Sequence, residues 1–168
     1  MNDEAAAQLI PRFQQSGLLL DANLLLVFVA GLHNLAWIGS RPRVKEYTAN
    51  DLTRLHTFVG LFNRVVTTPN ILTEVSNLSN AMVYDRERAA YARTFGTVVA
   101  ALAERYPRSQ VVVQIPPFAS LGLTDASIEQ VARRRHVFVL SADFDLVRRL
   151  HDEGLPALNF NHLRDPAR

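Results

Sequence analysis

The chain has 168 residues, of which 48% are hydrophobic and 20% charged, which is typical of one globular domain over residues 1–168. It has no cysteine, which excludes disulfides and thiolate metal sites, and its formal net charge of +2 is too small to indicate nucleic-acid binding by itself. The longest apolar run, Leu24–Leu32, is too short to span a bilayer, and the acidic start of the chain argues against a secretory signal, so we expect a cytoplasmic protein with no membrane span.

The first part of the chain predicts helices and strands in alternation. Residues 3–15 predict a short helix interrupted at Pro11. Leu18–Leu20 predicts a strand buried on both faces, because such strands show a continuous apolar run instead of alternation. An apolar helix is predicted at Leu24–Gly31, and a second strand at Val65–Thr67.

The second part of the chain continues this alternation. Thr68-Pro69 predicts a helix start, because Thr is a good N-cap and Pro suits the first helical position. Further helices are predicted from Asp85 to about Arg105, after Gly122, and after Ser141 as far as Gly154. The remaining predicted strands are Val111–Ile115, Val137–Leu140 and Leu155–Phe160. Strands that alternate with helices predict an α/β fold with a parallel sheet covered on both faces.

Four carboxylates fall where these predicted strands and helices meet. Asp21 ends the first strand, Asp143 follows the strongest strand, and Asp125 lies in the first turn of a helix. Glu74 lies about one turn into the helix that opens at Thr68. In a parallel sheet these junctions lie along one edge, although a helix cap is the commoner explanation of each acid taken alone.

A cluster of this kind would need a cation. Two carboxylates about 4 Å apart repel each other by about 4 kcal/mol at an effective dielectric constant of about 20. A ligand set made only of oxygen favours Mg²⁺ or Mn²⁺, and such ions support phosphodiester hydrolysis by an activated water. The five histidines show no paired metal-ligand spacing, and we interpret each as a core or surface residue.

The ordered set of motifs resembles the PIN-domain nuclease family. The resemblance runs from about Leu18 to Asn159, which is most of the chain. Its last two motifs are the most specific, and the ordered set is stronger than any one of them. The matching pieces are Leu20-Asp21-Ala22-Asn23, Thr68-Pro69 with Glu74, Leu123-Thr124-Asp125-Ala126 and Leu140-Ser141-Ala142-Asp143-Phe144-Asp145-Leu146.

The resemblance implies an α/β/α sandwich with a central parallel sheet and a Mg²⁺- or Mn²⁺-dependent endoribonuclease site. Asn23 would orient the first aspartate, Ser141 would support Asp143 or the attacking water, and Asp145 would be an accessory acid. Many bacterial members of the family are homodimeric toxins that pair with an antitoxin protein, although this chain has extra length near 38–50 and 104–117. The implied catalytic and metal-binding residues are Asp21, Glu74, Asp125 and Asp143.

The cationic residues give a second prediction about the substrate. Lys45 is the one lysine among 18 cationic residues, and arginine suits the geometry of phosphate groups. A bias of codon usage toward arginine explains this composition equally well. We predict that arginines beside the acidic site contact the RNA, namely Arg41, Arg43, Arg133, Arg134 and Arg135.

Two other interpretations stay open from the sequence. A PIN-like module that binds RNA or a protein without cutting it is disfavoured by the complete acid set, and metal binding would distinguish the two. A phosphotransfer enzyme of the haloacid dehalogenase or receiver type also has an Asp after its first strand. That chemistry requires a second Asp close to Asp21 and a nearby Lys, whereas this chain has Asn23 and a lone Lys45 in a loop.

Overall fold

The computed structural model describes residues 3–164, with side chains from residue 8 onward. Its strands are β1 (Leu18–Leu20), β2 (Val65–Thr67), β3 (Ala103–Glu104), β4 (Phe138–Ser141) and β5 (Ala157–Asn159). They form one sheet in the spatial order β3-β2-β1-β4-β5, and every neighbouring pair is parallel. The predicted α/β fold with a central parallel sheet is confirmed, and the arrangement is consistent with a PIN-like α/β/α sandwich.

Helices flank this sheet and connect its strands. Short 3-10 helices lie at Leu35–Trp37, after the second α-helix, and at Phe160–Leu163, after the last strand. Within residues 3–164, no helix combines the length and the apolar composition needed to cross a membrane. The α-helices are α1 (Asp3–Phe13), α2 (Ala22–His33), α3 (Ala49–Val59), α4 (Pro69–Ser79), α5 (Asp85–Ala101), α6 (Ser109–Val112), α7 (Pro117–Arg135) and α8 (Phe144–Asp152).

The strand β1 occupies the centre of the sheet because its side chains are apolar on both faces. Leu18 and Leu19 are fully buried, and Leu20 is nearly so. The register aligns Leu18 with Val65 of β2 on one side and with Phe138 of β4 on the other. The unbroken apolar run is therefore the signature of a strand covered by helices on both faces.

The order of the strands places a crevice beside β1. From β1 the chain continues to β2 and β3 on one side, and then returns to β4 and β5 on the other side. The strand order thus reverses between β1 and β4. In open parallel sheets ligands bind in the crevice at the carboxyl ends of the strands at such a reversal.

The third strand does not lie where the sequence predicts it. The sequence predicts a strand at Val111–Ile115, but helix α6 and a turn occupy this segment, with Val112 buried and Val111 and Val113 exposed. The edge strand is instead Ala103–Glu104, directly after α5. Two residues are too few to show an alternating pattern, so β3 leaves no signal in the sequence. The valines at 111–113 prefer strands, and this preference makes the predicted strand wrong.

Two helix predictions also need correction. Helix α1 continues through Pro11, whose missing N–H removes a backbone hydrogen bond. Leu9, Ile10 and Phe13 pack against the core, and this packing offsets the loss. Helix α7 begins at Pro117, before the predicted start, but Gly122 at φ 81° breaks it and a new helical segment opens there as expected.

The start of α4 offers a test of the predicted cap. Thr68 Oγ1 accepts a hydrogen bond from Ile71 N at 3.3 Å and lies 3.3 Å from Ser127 Oγ. We expect Thr68→Ala to lower the free energy of unfolding by about 1 kcal/mol, because the helix loses its cap. Urea unfolding measures this, with Thr73→Ala, an exposed change on the same helix, as the control. Equal stability of the two variants would contradict the assignment of Thr68 as the cap.

Candidate active site at the carboxyl edge of the sheet

Asp21 is held rigidly at the carboxyl end of β1. Its Oδ1 accepts a hydrogen bond from Leu24 N at 2.7 Å, which caps α2. Its Oδ2 accepts from Ser141 Oγ and from Ala142 N, the latter at 2.9 Å. The side chain is 4% exposed, and this burial raises the pKa of its carboxyl although the three hydrogen bonds oppose the shift. Asp21 is therefore both a helix cap and a buried carboxylate.

The contact between Asp21 and Ser141 follows from the register of the sheet. Leu20 is aligned with Leu140 of β4, so the next residue of each strand lies beside the other. Asp21 N donates to Leu140 O at 3.2 Å, which extends the pairing by one residue. Ser141 Oγ also accepts from Asp143 N at 2.9 Å. This hydroxyl thus links the ends of the two strands on either side of the reversal.

Asp143 is the N-cap of α8. Its Oδ1 accepts from Asp145 N at 2.7 Å and from Leu146 N at 3.1 Å. No hydrogen bond from the described residues reaches its second oxygen, Oδ2. The cap uses one oxygen of this carboxylate, so the other is available to a ligand.

Asp125 is coupled electrostatically to the other three acids. Burial raises the pKa of its carboxyl to about 7, and the negative charges of Asp21, Asp143 and Glu74 add to this shift in that order. Within the described part of the chain, no hydrogen bond compensates the Asp125 carboxylate. A carboxyl in this setting carries a proton near neutral pH unless a cation offsets the repulsion.

Glu74 projects from the second turn of α4 into a cleft of about 440 Å³. Thr124 lies in the same cleft, directly before Asp125. The wall opposite α4 is formed by Tyr106, Pro107 and Ser109, which follow β3. The electrostatic coupling between Glu74 and Asp125 places this cleft beside the other acids.

The four acids are near neighbours without forming a closed cage. In the described ranges no three Asp, Glu or His side chains approach closely enough to form a ready metal site. Their charges nevertheless couple, and the oxygens include the spare acceptor of Asp143 and the uncompensated carboxylate of Asp125. This donor set suits Mg²⁺ or Mn²⁺, which keep several water ligands and need only a few carboxylates from the protein.

Two residues with a predicted supporting role do not contact these acids through their side chains in the described part of the chain. Asn23 is exposed, and within residues 3–164 its side chain makes no hydrogen bond to Asp21. Ser141 and two backbone amides hold Asp21 instead. Asp145 is exposed and pairs with Arg148 at 3.1 Å on the surface of α8, while its backbone N–H binds Asp143.

The predicted substrate-binding arginines divide into two groups. Arg41 Nη2 forms an ion pair with Glu87 at 2.8 Å, and its guanidinium lies over the rings of Trp37 and Tyr84. Arg133 Nη2 bridges Glu129 at 3.0 Å and Glu153 at 2.7 Å. These two guanidinium groups are already occupied by structural contacts.

The other three arginines are not engaged in this way. Arg43 is exposed in a loop at φ 70°. Arg134 and Arg135 are exposed at the end of α7, and neither forms an ion pair with a carboxylate of the described chain. They line a concave surface together with other arginines.

The acidic edge also holds two polar residues that the sequence does not predict there. Asn159 ends β5 beside Ser141 and is 1% exposed, and its Nδ2 has no partner among the described residues. A polar residue after an apolar strand is the same signal that identified Asp21. Tyr47 is also buried, which raises its hydroxyl pKa, and the charge of Asp21 adds to the shift. No sequence pattern marks Tyr47, because a loop brings it there.

No protein-family model matches the chain, and no curated protein matches it significantly.

Proposed function

We propose that this protein is a metal-dependent endoribonuclease that hydrolyses phosphodiester bonds of RNA at the acidic edge of its sheet. The observation that carries the proposal is the coupling of Asp125 to Asp21, Asp143 and Glu74. The charges of these four carboxylates couple across the strand reversal, and this repulsion adds to the rise in the Asp125 pKa. Such an arrangement is explained by a function that needs concentrated negative charge, and binding of a divalent cation is that function.

Each residue of the acidic edge would have a distinct role in metal binding. Asp143 Oδ2 and the carboxylates of Asp125 and Glu74 would hold Mg²⁺ or Mn²⁺, with Asp21 contributing its charge from the buried end of β1. When bound, such an ion supplies an activated water and stabilises charge on the phosphate. Ser141 fixes Asp21 and the backbone of Asp143 in one geometry, which limits reorganisation during the reaction.

The proton equilibrium of Asp125 gives this site a further property. With a pKa of about 7, its carboxyl exchanges a proton near neutral pH. A cation beside it would favour the ionised form, since opposite charge lowers a carboxyl pKa. Metal binding is therefore expected to release protons and to strengthen as the pH rises through neutrality.

The test is a cleavage assay on single-stranded RNA of mixed sequence. We expect products with Mg²⁺ or Mn²⁺ and none with EDTA, because without a cation the carboxylates repel the phosphate and nothing stabilises the negative charge that develops on it. Restoring activity by adding excess metal to the EDTA sample is the control for irreversible damage. Cleavage that proceeds equally in EDTA would contradict the mechanism, and RNA binding without cleavage in any metal would favour the non-catalytic module. Pairing with an antitoxin and homodimer formation stay predictions of the family resemblance.

A further inference from the structure

A second cleft, lined by arginines, lies beside the cleft that Glu74 and Thr124 line, which we call the acidic cleft. Its volume is about 250 Å³. It runs between α7 and the segment that follows β3. We call it the arginine pocket, and the residues that line it include Arg105, Arg108, Arg134 and Arg135.

The charges of the arginine pocket are not neutralised within the described chain. Arg133 and Arg149, by contrast, pair with the buried Glu129. The four arginines of the pocket form no ion pair with any carboxylate side chain of residues 8–164, the range over which side chains are described. Two buried polar atoms in the pocket also lack partners there, namely Arg105 Nε and Gln130 Oε1. Four guanidinium groups facing one concavity repel each other, so the pocket is complementary to an anion.

The arginine pocket adjoins the acidic cleft. Tyr106 and Pro107 line both. Arg105 N donates to Thr67 O at 2.8 Å, so the arginine segment leaves β3 at the same edge of the sheet from which α4 carries Glu74. A chain molecule that reached from one cleft to the other would pass over Tyr106.

Tyr106 is suited to such a contact. Its side chain is 74% exposed, more than the other large hydrophobic side chains of the described surface. Its hydroxyl donates to Glu104 Oε2 at 2.6 Å, which fixes the direction of the ring. An exposed aromatic ring beside arginines is the combination by which proteins bind single-stranded nucleic acid, through stacking on bases and charge on phosphates.

We propose that the arginine pocket binds the phosphates of a single-stranded polynucleotide and that Tyr106 stacks on one of its bases. The strand then extends over Pro107 into the acidic cleft. This inference rests on the proposed function, because it names the surface that holds the RNA next to the position where it is cut. It also explains how a cluster of carboxylates can attract a polyanion, since the adjacent arginines offset the repulsion.

The experiment measures binding of a fluorescent single-stranded RNA of about 12 nucleotides, a length in the range that such proteins cover. EDTA is present throughout, so that cleavage does not interfere. The test variant is Arg134→Gln/Arg135→Gln. The control is Arg86→Gln/Arg93→Gln, which removes the same charge from two exposed arginines of α5 that form no ion pair within the described chain.

We expect the pocket variant to bind about 10- to 30-fold more weakly at ~0.1 M salt, and the control to bind like the parent. Two lost phosphate contacts should also reduce the slope of log K against log salt by about 1.4, at about 0.7 for each contact with a single strand. Tyr106→Ala should weaken binding about 5- to 100-fold by loss of stacking, whereas Tyr106→Phe keeps the ring and should bind like the parent. Thermal melting of each variant checks that the fold is intact.

Two results would overturn the inference. One is an equal loss of affinity and slope in the pocket and control variants, which would make the arginines ordinary surface charges. The other is tight binding of polyglutamate with the same net charge as the RNA, lost in the Arg134→Gln/Arg135→Gln variant. That result would identify an acidic protein segment as the ligand.

The assay separates this inference from the proposed function. Pocket-dependent RNA binding by a protein that cuts RNA in no metal would keep the inference and reject the nuclease. Metal-dependent cleavage by a protein whose RNA affinity is unchanged by substitutions at Arg134, Arg135 and Tyr106 would keep the nuclease and reject the inference.

Discussion

Asp143→Asn is expected to reduce metal-dependent RNA cleavage by at least about 100-fold, because removal of a metal ligand should cost no less than the loss of an outer-shell partner. The fold should survive the change. Asn caps a helix about as well as Asp, and one oxygen of the side chain suffices for the bonds to Asp145 N and Leu146 N. The variant therefore removes negative charge from the acidic edge without removing the cap.

The matched control is Asp152→Asn at the other end of α8. Asp152 is exposed and forms no ion pair with the described residues. We therefore expect the RNA cleavage rate of Asp152→Asn to stay within about twofold of the parent rate. Asp145→Asn, two residues from the cap, tests the accessory role that the family resemblance implies. Single-turnover cleavage in Mn²⁺ measures all three variants. Full activity of Asp143→Asn would remove this residue from the site and leave it as a helix cap.

Asp125→Asn is expected to stabilise the metal-free protein by roughly 2–4 kcal/mol near pH 8, at about 1.4 kcal/mol for each pKa unit. The cause is the burial of this carboxyl and the charges of Asp21, Asp143 and Glu74, which raise its pKa to about 7. An amide of the same shape carries no charge and feels none of this repulsion. The same variant should lose RNA cleavage, so function and stability oppose each other at this residue.

The pH dependence of that effect follows from the direction of the shift. The folded protein binds the Asp125 proton more tightly than the unfolded chain, whose carboxyl has the ordinary pKa of about 3.8. The stabilisation by this proton is complete below the ordinary pKa and is lost as the pH rises through about 7. The parent and Asp125→Asn should therefore be about equally stable near pH 4, and the difference should grow until about pH 8.

Urea unfolding in EDTA at several pH values measures this difference. Asp152→Asn serves again as the control, since its carboxylate is exposed and away from the acidic edge. Mg²⁺ should raise the melting temperature of the parent by mass action and do much less for Asp125→Asn. A difference in stability that does not change between acid and alkaline pH would contradict the clustering of the four acids.

The sequence by itself determined the class of fold and the edge where the acids gather. Apolar runs without alternation identified β1 and β4 as buried parallel strands, and the strand ends located Asp21 and Asp143. Thr68-Pro69 located the start of α4 and therefore Glu74. These signals are local, because burial on both faces and helix capping restrict the residue types of a few adjacent positions.

Tertiary structure decided what each charged side chain contacts. No feature of the sequence distinguishes the three adjacent arginines at 133–135. In the structure Arg133 pairs with the buried Glu129, whereas Arg134 and Arg135 line the arginine pocket. The edge strand β3 has two residues and carries no periodicity, so the segment that places Tyr106 beside the acidic cleft could not be predicted. The partner of a charge is fixed by the packing of residues distant along the chain, such as Glu153 with Arg133, and no local pattern records that packing.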